Sequence, residues 1–231
     1  MEEKEDKNKS EERQQSKRFT KIKLPYLISD LEPEISSLTM FYHYDILHSA
    51  YEQGLNNLVD DFEKKNGKFP FEDLVSLLKK IELLPLEYQT MARHFGGGLV
   101  NHDLFFLGLK KNPSRLSSDS NLSQEIIKTF DSLETLEKKL ISRGTKLIGS
   151  GWVWLVCNEE GELQIYSTAN QNSPYLAGYF PIIGLDVWEH AYYLDYFTDK
   201  KSYLKNLLKL INWERAAALF DEAKKLIGEK I

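Results

Sequence analysis

Apolar positions recur at helical spacing through the first half of the chain. From Ser36 to Lys65 they predict one long helix, with Ser36 or Ser37 as its cap and Gly54 as a break or kink. A polar turn, KKNGKFP, leads into a second amphipathic helix over 71–84, FEDLVSLLKKIELL. A third begins near Leu86 and runs through a triple glycine to about Leu109. The segment KKNPSRLSSDSN, 110–121, gathers Pro, Ser and Asn and reads as a linker. One further helix is predicted over 123–144, SQEIIKTFDSLETLEKKLISRG.

The pattern then changes. WVWLVCNEEGELQIYSTAN, 152–170, is two β-rich runs joined at a turn containing Gly161, which predicts a hairpin. YFPIIGLDVW, 179–188, supplies a third strand, and helices return from about Glu189 to the end. Helices followed by a small antiparallel sheet flanked by helices define an α+β protein. The expected organisation is an N-terminal antiparallel long-helix hairpin domain over 19–112. A C-terminal α/β domain with a three-stranded antiparallel sheet follows over 113–231.

Residues 1–18, MEEKEDKNKSEERQQSKR, have no large apolar side chain after Met1 and mix acids with bases, so they read as a disordered charged tail. Elsewhere the composition is that of a globular protein, 42% hydrophobic and 28% charged. A net charge of −5 argues against nucleic acid as a partner. No apolar run is long enough for a membrane span. The chain start lacks the apolar core of a secretory signal. Cys157 is the single cysteine, which excludes an intrachain disulfide and favours a reducing, cytoplasmic location; it reads as a buried structural thiol.

The densest chemistry lies in GLDVWEHAYYLDY, 184–196, where Asp186 and His190 stand four residues apart among aromatic rings. Rings of this kind are usually buried, and a buried carboxylate beside a buried imidazole needs a partner. A mutual hydrogen bond is one solution and a shared metal ion is another. The remaining histidines are His43, His48, His94 and His102. Taken singly, each reads as a satisfied core histidine. His43 and Tyr51 are eight residues apart on the first helix, a rotation of about 80°, so they share one side of it.

Taken together, these motifs resemble the iron/manganese superoxide dismutases. DVWEHAYY at 186–193, TMxxHY around His43, GGxxxNH ending at His102, GSGWVWLV and STANQNSP occur in the family's order, between LPYLISDLEPEIS and INWERAAALF. The resemblance implies His43, His102, Asp186 and His190 as ligands of one manganese or iron ion per subunit. Imidazole and carboxylate suit such ions, and the set lacks the soft thiolates that favour copper(I). It implies Tyr51 as the gateway tyrosine and Gln171 as the amide that tunes the metal's solvent ligand. With Gly98 at the alternative glutamine position, this is the manganese pattern. Trp152, Trp154 and Trp188 correspond to the family's aromatic shell, expected to pack rather than react. Glu189 and Tyr193 correspond to contacts across a homodimer or homotetramer interface, and His48 to a packing histidine.

Four positions depart from the pattern: Ile46 for a lysine, Leu47 for a histidine that bonds the gateway tyrosine, His94 for an asparagine and Phe106 for a tryptophan. Leu47 puts the usual proton relay in doubt, and Ile46 removes a charge that attracts anions. Lys200 and Lys201 stand where the family has a basic residue. The activity implied is disproportionation of superoxide to oxygen and hydrogen peroxide. The alternatives are a non-catalytic module that retains the fold and a redox-silent zinc site.

Overall fold

The computed structural model of the chain describes residues 19–229; the tail expected at 1–18 lies outside the described residues. The first long helix begins where the sequence places it, with the Ser36 side chain accepting from Thr39 N. It is not one uniform α-helix. A short α1 (Ser37–Met40) passes into a π-helical segment (Phe41–His48) and then into α2 (Ser49–Asn66). The physical reason lies in His43 and His48, both buried although five residues apart. On an α-helix they would diverge by about 140°. The wider π turn brings both inward, a local distortion common at functional sites.

Gly54 neither breaks nor kinks α2. A Cβ there would sit 2.3 Å from Phe95 Cε1, so the glycine lets the Phe95 ring cross the helix. The second predicted helix is shorter than its apolar pattern, covering α3 (Leu74–Lys79), capped by Asp73, and then a 3-10 turn, Ile81–Leu83. The third, α4 (Leu86–Leu107), matches its prediction and packs against α2 as the hairpin.

The helix predicted over 123–144 is two, α5 (Asn121–Phe130) and α6 (Leu133–Lys146). Asp131 takes φ 69°, and Ser132 caps α6 by accepting from Thr135 N. Local polar chemistry at this DS pair overrides an apolar period that continues across it.

Strands β1 (Gly151–Cys157), β2 (Leu163–Ala169) and β3 (Phe180–Asp186) form the expected antiparallel sheet in the order β2-β1-β3. In the hairpin turn Gly161 has φ 80°, and Asn158 Oδ1 accepts from Glu160 N and Glu162 N. The central strand β1 is buried at every position, and its register sets Trp152 opposite Asp186. After the 3-10 turn Glu189–Ala191 come α7 (Tyr193–Tyr196), α8 (Lys200–Leu208) and α9 (Trp213–Gly228).

Two apolar clusters hold the molecule. The smaller lies within the hairpin, around Leu55, Phe62, Leu77 and Leu99. The larger surrounds the sheet and also takes in Leu31, Met40, Phe105 and Phe106 from the first half of the chain. That shared core holds the ends of the hairpin helices against β1 and β3, and the histidines meet the carboxylate there. Among the described residues no helix is long and apolar enough to cross a membrane.

Candidate metal centre

Each member of the cluster is delivered by a different element. The π segment supplies His43, α4 supplies His102, the end of β3 supplies Asp186, and the following 3-10 turn supplies His190. Their ligand atoms all lie within 4.8 Å of one another. Asp186 Oδ2 is the hub, 3.2 Å from His43 Nε2, 3.6 Å from His102 Nε2 and 3.3 Å from His190 Nε2. Asp186 and His102 are fully buried, His43 nearly so, and the His190 side chain is 18% exposed.

Hydrogen bonds aim the donors. His102 Nδ1 lies 2.7 Å from Gly98 O; that bond places the proton on Nδ1 and leaves Nε2 as a free lone pair facing Asp186. Asp186 Oδ1 accepts from Trp188 N at 2.9 Å, and its carbonyl accepts from the Tyr203 hydroxyl at 2.9 Å. Yet His43 Nε2 and His102 Nε2 have no properly directed hydrogen-bond partner among the described residues. Buried polar atoms left this way cost free energy unless something else satisfies them.

A cation shared by these donors would satisfy both lone pairs and the carboxylate. Metal–ligand bonds of about 2.0–2.2 Å place neighbouring ligand atoms roughly 3–4 Å apart, the spacing seen around Oδ2. Three imidazoles and one carboxylate also suit manganese or iron. Burial pushes His43 down to about 4 and His102 well below the usual histidine value, so both are neutral and able to donate lone pairs. For Asp186, burial works against ionisation. The His190 and His43 imidazoles that face it outweigh burial, and the carboxyl is held well below its usual range.

Beside the cluster stands the pair expected from sequence. Gln171 Nε2 donates to the Tyr51 hydroxyl at 2.9 Å, while Gln171 Oε1 accepts from Trp152 Nε1 at 3.1 Å. The indole nitrogen can only donate, so it fixes which way the amide points. Trp152 therefore does more than pack. Asn101 Nδ2 also reaches Gln171 O at 3.2 Å, a role sequence reasoning missed although Asn101 adjoins His102 in GGxxxNH. Tyr203, bonded to Asp186, left no local signal at all.

Two glycines of α4 make this possible. A Cβ on Gly97 would lie 2.0 Å from Gln171 O, and one on Gly98 would lie 2.3 Å from Tyr51 Cδ1. Burial raises the Tyr51 phenol to about 12, with the Asp186 charge adding to the rise and the Gln171 bond opposing it.

The other expected residues fall as follows. Trp154 is buried and donates to Thr168 Oγ1, and Trp188 stacks on His190 with centroids 5.4 Å apart. Glu189 and Tyr193 lie at the molecular surface beside His190. His48 is buried with Nε2 2.9 Å from Asp103 Oδ1, in the packing role expected. Ile46 is exposed and Leu47 half-buried. Phe106 packs against His43 and His48. Lys200 is tied to Leu147 O, and Lys201 lines a groove between α6 and α8.

A helical hairpin is joined to a small antiparallel sheet, and at their junction lies a three-histidine, one-carboxylate cluster of a kind that could hold one metal ion. Residues 18–110 match the alpha-hairpin domain of the iron/manganese superoxide dismutases, and residues 118–219 match their C-terminal domain. A superoxide dismutase [Mn] of Yersinia enterocolitica is 39% identical over 207 residues, spanning 87% of this chain and 97% of that relative. The chain belongs to the iron/manganese superoxide dismutase family, and its activity is metal-dependent dismutation of superoxide with manganese or iron.

Proposed function

We propose that His43, His102, Asp186 and His190 are the protein ligands of that ion, and that Tyr51 and Gln171 serve the reaction beside it. The observation that carries this reading is the pair of buried, unpartnered Nε2 atoms of His43 and His102 facing one ionised carboxylate oxygen. The bound ion supplies one-electron chemistry by alternating between trivalent and divalent states. Two superoxide anions and two protons become one dioxygen and one hydrogen peroxide. Asp186 contributes negative charge that favours the trivalent state. Trp152, Trp154 and Phe106 exclude water and lock the imidazoles. Gln171 orients the Tyr51 hydroxyl, which is kept protonated by burial and can pass a proton towards the centre.

Manganese is the ion we favour, because the amide beside Tyr51 comes from position 171 while position 98 has no side chain. A non-catalytic module would have no reason to retain four converging donors. Elemental analysis of protein reconstituted with manganese, iron or zinc, paired with superoxide removal, tests both points. Manganese- or iron-loaded protein that fails to remove superoxide would sink the reading, as would activity unchanged in His190→Ala at full metal occupancy.

We infer a homodimer or homotetramer assembled through Glu189 and Tyr193. The support is a set of exposed apolar side chains, Leu38, Phe41, Tyr42, Tyr193, Leu194 and Phe197, on α1, the π segment, α7 and the residue that ends α7. Patches of this kind mark interaction sites. We also place the protein in the cytoplasm, on the strength of its single cysteine, whose thiol burial pushes up to about 11. The net charge of −5 supports no role for nucleic acid. Residues 19–112 and 113–231 we regard as two units docked through the larger core.

A further inference from the structure

The face of α4 that carries His102 carries more than a ligand. His94, Gly98 and His102 recur at intervals of four residues and so lie one above another. Tyr51 of α2 covers the gap that Gly98 leaves. Its ring centroid is 5.0 Å from that of His102 and 5.5 Å from that of His94, whose ring meets it at 66°. Exposure increases along the series: His102 is fully buried, Tyr51 is 7% exposed, and His94 is half-buried. His94 is thus the solvent-side neighbour of the tyrosine that adjoins the cluster. Among the described residues it has ring contacts with Tyr51 and Phe95, and no hydrogen bond or ion pair that would give it a structural task. Leu47, on the segment leading into α2, offers no group that could take up a proton.

We propose that His94 is a positioning residue of the site: it holds the Tyr51 ring against His102 and sets a chargeable imidazole at the outer end of this face, where its positive form draws a small anion inward. The inference rests on the dismutase reading above. The charged groups on the helices around it are Glu52, Asp60, Asp61, Glu63, Lys64 and Lys65 of α2, Glu87, Arg93 and Asp103 of α4, and Lys79 of α3. Asp61 is engaged by Lys65 and by the Tyr88 hydroxyl, and Lys79 lies over the Phe180 ring. Burial is what pushes His94 below the usual histidine value, which disfavours its charged form at neutral pH.

The test uses wild type, His94→Gln, His94→Phe and His94→Arg, loaded and matched for metal content. Superoxide decay is followed from about pH 5 to pH 8 at low and high salt. Separately, the His94 ring proton is titrated by NMR in metal-free wild type. The wild-type rate should gain a component as pH falls, with its midpoint at the His94 titration. His94→Gln and His94→Phe should lack that component and trail by about two- to fivefold at the acid end. His94→Arg should keep the gain across the whole range, and high salt should erase the differences.

Superimposable pH and salt profiles for wild type and His94→Gln would overturn the proposal. A component whose midpoint differs from the His94 titration would do the same. Metal-loaded wild type that is inert towards superoxide would instead overturn the dismutase reading, so the two failures are separable.

Discussion

His48 and His102 stack on each other with ring centroids 5.6 Å apart and planes 29° apart, and both are fully buried. Residue type, burial and neighbourhood are nearly the same; the difference is at Nε2. In His48 that atom meets Asp103 Oδ1 at 2.9 Å and Leu99 O at 3.3 Å. In His102 it is Nδ1 that is bonded, to Gly98 O, and Nε2 is left facing Asp186. His48 also keeps one buried nitrogen, Nδ1, without a partner. What sets His102 apart is that its unpartnered nitrogen, Nε2, lies 3.6 Å from Asp186 Oδ2, the arrangement expected of the ligand proposed above.

Breaking the member proposed to ligate should have the largest effect. His102→Ala removes a donor and leaves Asp186 and His43 facing an uncompensated gap. Metal content should collapse, and activity should fall at least about 100-fold, since even the residues behind a ligand are worth 10–100-fold. Elemental analysis with a dismutation assay checks this. A fully loaded, active His102→Ala protein would erase the contrast with His48.

The contrast sharpens in metal-free protein under acid. His43 has a folded pKa of about 4 against about 6.5 unfolded, and His102 is also depressed. The unfolded chain therefore binds more protons below pH 6.5, so stability is fully present above that value and is lost as pH falls towards 4. His43 alone contributes roughly 3 kcal/mol to this loss. Urea melts of metal-free protein across this window should show the decline. A flat profile would mean the imidazoles are already charged or hydrated when the metal is absent.

The smallest effect belongs to the structural member. His48→Phe keeps the stacking but removes the bond to Asp103, which retains Ile22 N as a donor. Stability should drop by about 1–3 kcal/mol, and melting should fall by roughly 2–4 °C per kcal/mol. Metal content per folded subunit should stay at the wild-type level. Loss of metal out of proportion to loss of fold would put His48 among the functional residues.

This comparison also marks what the sequence could convey. Local order left readable traces: the Ser36 cap, the α4 period, the three strands, and the motifs that carry His43, His102, Asp186 and His190. The chain also separates His48 from the proposed ligands, but only through resemblance, because Leu99 and Asp103 lie half a hundred positions away from it. The same reason hid Asn101, Tyr203 and the second task of Trp152, whose partners Gln171 and Asp186 are remote or on another element. The π segment was invisible because apolar spacing reports which residues turn inward, not how many residues the backbone spends on each turn. The break at Asp131 was missed because the apolar period runs straight through it.

The division of the donors between the two halves of the chain has a consequence for birth order. His43 and His102 emerge from the ribosome well before Asp186 and His190. At roughly 5–20 residues per second the wait between the second donor and the third is on the order of ten seconds. On the ligand set proposed above, a nascent hairpin holds two of the four donors, and the carboxylate that faces them, Asp186, comes later in the chain. If that set is the site, durable selection among metals follows the closure of the sheet onto the hairpin, when the ion's competitors are set by what the cell has in free supply at that moment.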